Sequence, residues 1–162
     1  MKIGVISDTH IPERAQKVPE GALRAFRGCD MIIHAGDLVD VRVFDELVKV
    51  CPDVKGVAGN MDQAAIRKKF PEKVVMKVGK FMIGVKHGFG PPDKLLELMR
   101  ESFKQDNVDV VIFGHSHQPL VLRQEGILFF NPGSATDDIF APYKSVGILE
   151  IGDTIEGKII KL

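Results

Sequence analysis

The feature that most constrains this chain is a repeated pattern: short, nearly apolar runs that each give way within a few residues to Asp, Asn or His. Ile3 to Ile6 runs into Ser7-Asp8-Thr9-His10, and Met31 to Ile33 into His34-Ala35-Gly36-Asp37. Val54 to Ala58 precedes Gly59-Asn60-Met61-Asp62, Phe81 to Lys86 precedes His87-Gly88, and Val110 to Phe113 precedes Gly114-His115-Ser116-His117. Apolar runs without polar alternation suit strands covered on both faces. Helical patterns separate the first three. Pro19 can open a helix that turns Leu23 and Phe26 inward and stops at Gly28. Asp40 is the expected N-cap for Val41 to Cys51, where Phe44, Leu47, Val48 and Cys51 fall at i, i+3, i+4 and i+7 before Pro52.

The second half changes character. Lys73 to Val78 and Phe81 to Lys86 flank Gly79-Lys80, a two-residue hairpin connection. A helix is expected from Pro92 to Gln105, with Leu95, Leu96, Met99 and Phe103 on its apolar side. Leu120 to Arg123 and Ile127 to Phe130 turn at Glu125-Gly126, and Val146 to Ile151 and Thr154 to Ile160 at Gly152-Asp153. The N-terminal half therefore reads as parallel and βαβ-like, the C-terminal half as antiparallel. Two sheets packed face to face with helices outside satisfy both, giving an α/β fold with a four-layer α/β/β/α sandwich. The 162 residues suit a single domain, 1–162, large enough to bury a core.

Composition narrows the function. Lys plus Arg and Asp plus Glu are each 22, so the net charge is +0 and there is no bulk attraction to nucleic acid or anionic membrane. The opening MKIGVISDTH enters a strand directly, without a signal-peptide or membrane-span pattern, which points to a cytoplasmic protein with no membrane partner. Two cysteines, Cys29 and Cys51, are too few for a disulfide framework or a cysteine zinc site.

The polar residues all fall at the C-terminal ends of apolar runs, the rim where open α/β sheets bind ligands. Each alone has an ordinary explanation, since Asp after a strand commonly caps a turn. Four of the chain's five histidines follow strands, interleaved with two aspartates and an asparagine, and together they form a constellation. Side-chain alternation would point His115 and His117 the same way, as if toward one ion. Carboxylate, imidazole and amide oxygen suit Mn²⁺, Fe²⁺, Ni²⁺ or Zn²⁺. Seven ligands are too many for one such ion with room for substrate. They suit two ions sharing a carboxylate, an arrangement that hydrolyses phosphate esters.

In order, DTH at 8–10, GD at 36–37, GN at 59–60, His87 and GHSH at 114–117 resemble the five motifs of the calcineurin-like metallophosphoesterases. The short length, GHSH and the NPGS at 131–134 are most similar to the small YfcE-type phosphodiesterase branch, and DTHIPERAQKVPEGAL also resembles the retromer subunit that shares this fold. The resemblance runs from Lys2 to about Ser134. It implies a first metal on Asp8, His10 and His117, a second on Asn60, His87 and His115, and Asp37 as the bridge. It thereby assigns the two histidines of GHSH to neighbouring ions. A hydroxide between the metals would be the nucleophile, attacking phosphorus in line, so no side chain is itself the catalytic nucleophile. The implied cofactors are two divalent transition-metal ions, manganese foremost, with nickel, iron, zinc or cobalt as alternatives.

His34, within its strand, is expected to support the ligands rather than join them, and Asp62 is a second candidate for such a role. Asn60, His87, His115, Asn131 and Ser134 are candidates for binding substrate, although a turn at Pro132-Gly133 explains the last two equally well. Phe89, Pro91, Phe140 and Tyr143 could form pocket walls or simply pack. One departure matters: many larger family members carry a proton-donating His directly after GN, and here that residue is Met61. The expected activity is hydrolysis of small phosphodiesters with good leaving groups. A protein-interaction scaffold that keeps the fold, and a nuclease for short or single strands, are the alternatives. Nucleic acid is disfavoured by the neutral charge, and a homo-oligomer is left open.

Overall fold

In the computed structural model, which describes all 162 residues, the strands form two sheets of five. The first half supplies β1 (Lys2–Ile6), α1 (Glu20–Ala25), β2 (Met31–His34), α2 (Arg42–Val48), β3 (Val54–Gly56) and α3 (Ala64–Lys69). There follow β4 (Lys73–Val78), β5 (Phe81–Lys86), a 3-10 turn at Pro92–Lys94 and α4 (Leu95–Ser102). The chain ends with β6 (Val110–Ile112), β7 (Leu120–Gln124), β8 (Ile127–Asn131), β9 (Ser145–Ile151) and β10 (Ile155–Lys161).

The expected division into a parallel and an antiparallel half needs correcting, because both sheets are mixed. One runs β10-β9-β1-β2-β3, with β1, β2 and β3 parallel and the C-terminal hairpin added antiparallel beside β1. The other runs β4-β5-β6-β8-β7, with β5, β6 and β8 parallel inside two antiparallel edges. The four layers follow from which side of each strand is apolar. Ile3, Val5, Ile33, Ile83, Val110, Ile112 and Leu149 fill the space between the sheets. Phe26, Ile32, Leu47, Ile66 and Phe70 join α1, α2 and α3 to the outer face of the first sheet, and Leu95, Met99, Phe103, Val111 and Phe129 join α4 to that of the second. At about 25 cal/mol per Å² of apolar surface, these buried faces are the main force holding the layers together.

The helices are shorter than their periodicity suggests. The second ends at Val48, which is 36% exposed, because Val43 and Leu47 provide the buried contact. Asp40 lies one residue before the assigned N-cap, Val41, and still accepts the Arg42 N–H at 2.8 Å. The fourth begins as a 3-10 turn and closes at Phe103, short of Gln105. The third was not expected, since six residues with only Ile66 buried leave no periodic signal. No helix is long and apolar enough to cross a membrane.

Candidate functional site

Parallel strands deliver their C-terminal ends to one side of the sandwich, and the polar residues meet where the two sheets come together. The loops after β1 and β2 are tied by Asp8 N–H to Gly36 O at 3.1 Å and His10 N–H to Asp37 O at 3.1 Å. The loops after β5 and β6 are tied by Gly114 N–H to His87 O at 2.9 Å. Between the sheets, the His115 N–H donates to Asp8 Oδ2 at 3.1 Å.

These loops are backbone-strained. Asp8, His10, Asp37, His115 and His117 have φ of 53°, 40°, 56°, 68° and 57°, all in the left-handed region. For non-glycine residues that conformation costs about 1–2 kcal/mol each, and it persists only where surrounding contacts dictate it. It also corrects the alternation argument for GHSH, because neither histidine is extended and the pair diverges. Two glycines admit the close approach. A methyl at Gly59 would lie 2.5 Å from Asp37 N and overlap its Oδ1, and one at Gly114 would lie 2.5 Å from Asp8 Oδ2 and overlap Ser7 Oγ.

Two buried groups result, Asp8-His10-His117 and Asp8-Asp37-His87, each with ligand-type atoms close enough to share an ion. His117 Nε2 lies 3.2 Å from Asp8 Oδ1 and 3.4 Å from His10 Nε2. His87 Nε2 lies 3.2 Å from Asp37 Oδ2 and 3.7 Å from Asp8 Oδ1. Asp37 Oδ2 is also 3.6 Å from His10 Nε2, so this carboxylate faces both groups. His115 and Asn60 stand beside them at the surface, with Nδ1 to Oδ1 at 3.0 Å, and the His87 and His115 rings are 5.5 Å apart. All seven ligand candidates are thus neighbours, with His115 and Asn60 outside the two buried groups.

The hydrogen bonds fit metal ligation. His87 Nδ1 donates to Ala35 O at 2.8 Å, which leaves Nε2 buried without a hydrogen-bond partner, 3.2 Å from Asp37 Oδ2. His117 Nδ1 donates to Asp137 Oδ2 at 2.5 Å, presenting Nε2 to Asp8 and His10. His115 Nε2 donates to Gly90 O at 2.9 Å, so in the neutral ring Nδ1 is an acceptor facing another acceptor, Asn60 Oδ1. Imidazoles anchored through one nitrogen, with the other aimed at carboxylates, are arranged as metal ligands are. These two buried Asp/His groups are consistent with a dinuclear metal site.

The electrostatics agree. Burial pushes the Asp8 carboxyl up, but His87, His10 and His117 more than offset this and hold it well below the usual carboxylate range. Burial opposes charging of His87, and Asp8 and Asp37 reverse that, raising it to about 9. His117 is also opposed by burial and raised to about 9, by Asp8 and Asp137. Two carboxylates thus attract positive charge into a buried site.

The supporting residues behave differently. His34 is fully buried, with Nε2 3.1 Å from Thr9 Oγ1 and Nδ1 accepting the Gly36 N–H at 3.2 Å. Burial holds it neutral, its pKa lowered to about 3. Asp62 accepts N–H groups from Asp37 at 3.0 Å, Val39 at 2.7 Å and Gly59 at 2.7 Å, and so fixes two ligand-bearing loops together. Asn131 and Ser134 do not face the cleft, which corrects their candidacy for substrate. Both are fully buried, Asn131 donating to Gly114 O at 2.9 Å and Ser134 to Asp8 O at 2.7 Å. Asp137 was missed by the sequence reading; its sequence signal, a carboxylate just after NPGS, is shared with Asp138. Above the buried groups, a cleft is lined by His10, Arg14, Met61, His115, His117 and Phe140.

The comparisons with known proteins agree with this geometry. The profile of the calcineurin-like phosphoesterase superfamily domain matches residues 1–154. A probable metallophosphoesterase of Methanothermobacter thermautotrophicus is 38% identical over 162 residues, spanning 99% of this chain and 92% of its own. Another, from Methanocaldococcus jannaschii, is 38% identical over 165 residues, spanning 100% and 82%. The crystal structure of wild-type Vps29 from Entamoeba histolytica complexed with zinc superposes with a TM-score of 0.79 at 26% identity over 99% of both chains. The mixed double sheet, the two Asp/His groups and these relatives lead to one conclusion: the chain belongs to the calcineurin-like phosphoesterase superfamily.

Proposed function

We propose that this protein is a dinuclear-metal phosphodiesterase acting on small diesters. In this reading Asp8, His10 and His117 hold one divalent ion, Asn60, His87 and His115 hold the other, and Asp37 joins them. The observation that carries the reading is Asp37 Oδ2, which faces His10 Nε2 at 3.6 Å and His87 Nε2 at 3.2 Å. Asp8 Oδ1 is common to both groups and adds a second negative charge between them. Two divalent ions held there would lower the pKa of water and neutralise charge on the transferring phosphoryl group. We place manganese first among the ions, with nickel, iron, zinc and cobalt as alternatives, because the mixed O/N donor set admits all of them.

The chain's own residues favour a diester over a monoester. Arg14 is the one Lys or Arg lining the cleft, and its guanidinium already stands 3.6 Å from Asp137 Oδ1. Arg67 in the adjoining pocket donates to Gly59 O and Asn60 O. With both arginines engaged, Lys86 is the one cation of the adjoining pocket without a carboxylate partner, its Nζ lying 3.5 Å from Ser102 Oγ, and so sparse a positive charge suits the single charge of a diester better than a dianion. Met61, at the rim, is 51% exposed and cannot donate a side-chain proton, while its backbone N–H holds Asp37 Oδ1 at 2.8 Å. Turnover is therefore expected to favour diesters with good leaving groups.

The test is metal analysis of the purified protein, then a diester and monoester screen with each ion. Asp37→Ala should lose both metals and turnover; two metals per chain with normal turnover in that variant would refute the assignment. A rate independent of leaving-group pKa, where chemistry is limiting, would refute the leaving-group preference. A protein-interaction scaffold that keeps the fold and metal site is the second reading, favoured by the fold shared with Vps29, and complete inactivity with every ion and diester would turn the choice toward it.

A further inference from the structure

Cys29 and Cys51 take no part in the metal centre, yet the fold brings them together. β2 and β3 pair in parallel as Ile32 with Val54, Ile33 with Lys55 and His34 with Gly56. The two cysteines have the same separation in sequence as each of these pairs, so the register sets them side by side where the chain enters the two strands. The Ile32 N–H donates to Asp53 O at 2.9 Å, which carries the pairing to within two residues of Cys51. Paired strands lie about 4.8 Å apart, inside the range of about 4.4–6.8 Å between Cα atoms that a disulfide spans.

Both side chains also reach the same layer. Cys51 is buried in the core between the first sheet and its helices, with Phe26, Ile32, Leu47 and Val54, and Cys29 packs against that cluster. Cys29 is half-buried, whereas Cys51 is 2% exposed. Burial pushes the Cys29 thiol up, and Cys51 adds to the rise, as thiols close together do. Neither sulfur is held firmly elsewhere. The one hydrogen bond either makes is from the Cys51 thiol, a weak donor, to Asp53 O at 3.7 Å.

We propose that Cys29 and Cys51 form a reversible disulfide site, oxidised by small disulfides of the glutathione type, that staples the entry of β2 to the entry of β3. The Cys29 thiolate attacks one sulfur of the small disulfide, breaking its S–S bond and expelling one thiolate. The Cys51 thiolate then attacks the Cys29 sulfur of the mixed disulfide and expels the other. Two protein thiols are thereby oxidised and one small disulfide is reduced to two thiols, which take up the two protons. Half-buried Cys29 suits the first step, and the second is internal, so Cys51 needs no access to solvent. The bond closes a loop over residues 29–51 and so restricts the unfolded chain. It lies at the opposite ends of β2 and β3 from Asp37 and Asn60, and leaves the metal ligands in place.

The test is incubation of the manganese-loaded full-length protein with oxidised glutathione at mildly alkaline pH, followed by intact-mass measurement. Each chain should lose the mass of two hydrogens, peptide mapping should join Cys29 to Cys51, and a phosphine reductant should reverse both. The oxidised protein should melt about 10 °C above the reduced one, with the same manganese content. Cys29→Ser should abolish the mass change and the shift, and Cys51→Ala should stop at a glutathione adduct on Cys29. Cys29 is half-buried, so the first of these variants keeps the fold even where the second does not. A lasting glutathione adduct on wild-type Cys29, a disulfide between two chains, or thiols that stay free after prolonged exposure would each overturn the site. An internal bond that left the melting temperature unchanged, or that released manganese, would overturn its assignment as a staple remote from the ligands.

Discussion

Metal loading should release protons in a pH-dependent way that the structure specifies. His87 and His117 are raised from 6.5 to about 9, chiefly by Asp8 with Asp37 and Asp137, against the opposing effect of burial. With both pKa values near 9, the pair carries about 1.9 protons at pH 7.5 and about 1.0 at pH 9. Ions require neutral imidazoles, so loading must displace those protons. With ordinary histidines the corresponding figures would be about 0.2 and near zero. Calorimetric titration in paired buffers of unlike ionisation enthalpy gives the release directly, and the histidine part should fall by about 0.9 proton per chain between pH 7.5 and 9. A proton lost from bound water with a pKa near 7 works the other way, adding about 0.2 proton over that interval, so the measured release should fall by about 0.7 proton. The sign of the stability effect follows from linkage. Raised folded-state values stabilise the metal-free protein below about pH 6.5, and that contribution is lost as pH rises through about 9. Proton release that stayed level from pH 7.5 to 9 would show that the carboxylates do not hold these histidines charged, and the electrostatic account of the site would be wrong.

Three substitutions probe the supports. Asp62→Ala leaves three N–H groups without their acceptor, and at about 1–3 kcal/mol each it should cost about 3 kcal/mol or more, read as a lower urea midpoint. Gly59→Ala drives a methyl into Asp37 and should abolish stoichiometric metal binding, measured by elemental analysis, even in protein that still folds. Asp137→Asn weakens the anchoring of His117 Nδ1 and should lower affinity at the Asp8-His10-His117 group about 10–100-fold while largely sparing the second ion, a split that two-site titration resolves.

The strands and the clustering of polar residues were legible for one physical reason. A parallel strand covered on both faces must be apolar throughout, so its end is marked by the first polar residue, and parallel packing carries those ends to a common rim. Ile3, Val5, Ile33, Val110 and Ile112 behave in this way. What failed was non-local or depended on backbone conformation. Nothing in chain order shows that β9 returns to β1, pairing Gly4 with Ile148. The period-two argument for His115 and His117 assumed extended backbone, and φ of 68° and 57° removes that premise. Asp137 and Asp138 are adjacent and chemically alike. Contacts with His117 and Arg14, both distant in sequence, accompany the complete burial of Asp137, while the Asp138 side chain remains 75% exposed beside Lys144.

The sequence puts Met61 where many larger family members carry a histidine, with Asp62 next to it, and the structure separates their roles. Asp37 receives the Met61 N–H on Oδ1 and gives its own N–H to Asp62, so it is held by a backbone donor at position 61 and a carboxylate at position 62. Neither contact requires a particular side chain at 61. Loss of a proton donor there can therefore alter which leaving groups are tolerated without loosening the carboxylate that faces both groups. Met61→His should accordingly leave metal stoichiometry unchanged and flatten the dependence of rate on leaving-group pKa. If it instead released metal, position 61 would be part of the structural support of Asp37 beyond its backbone, and the separation of holding from proton donation would not stand.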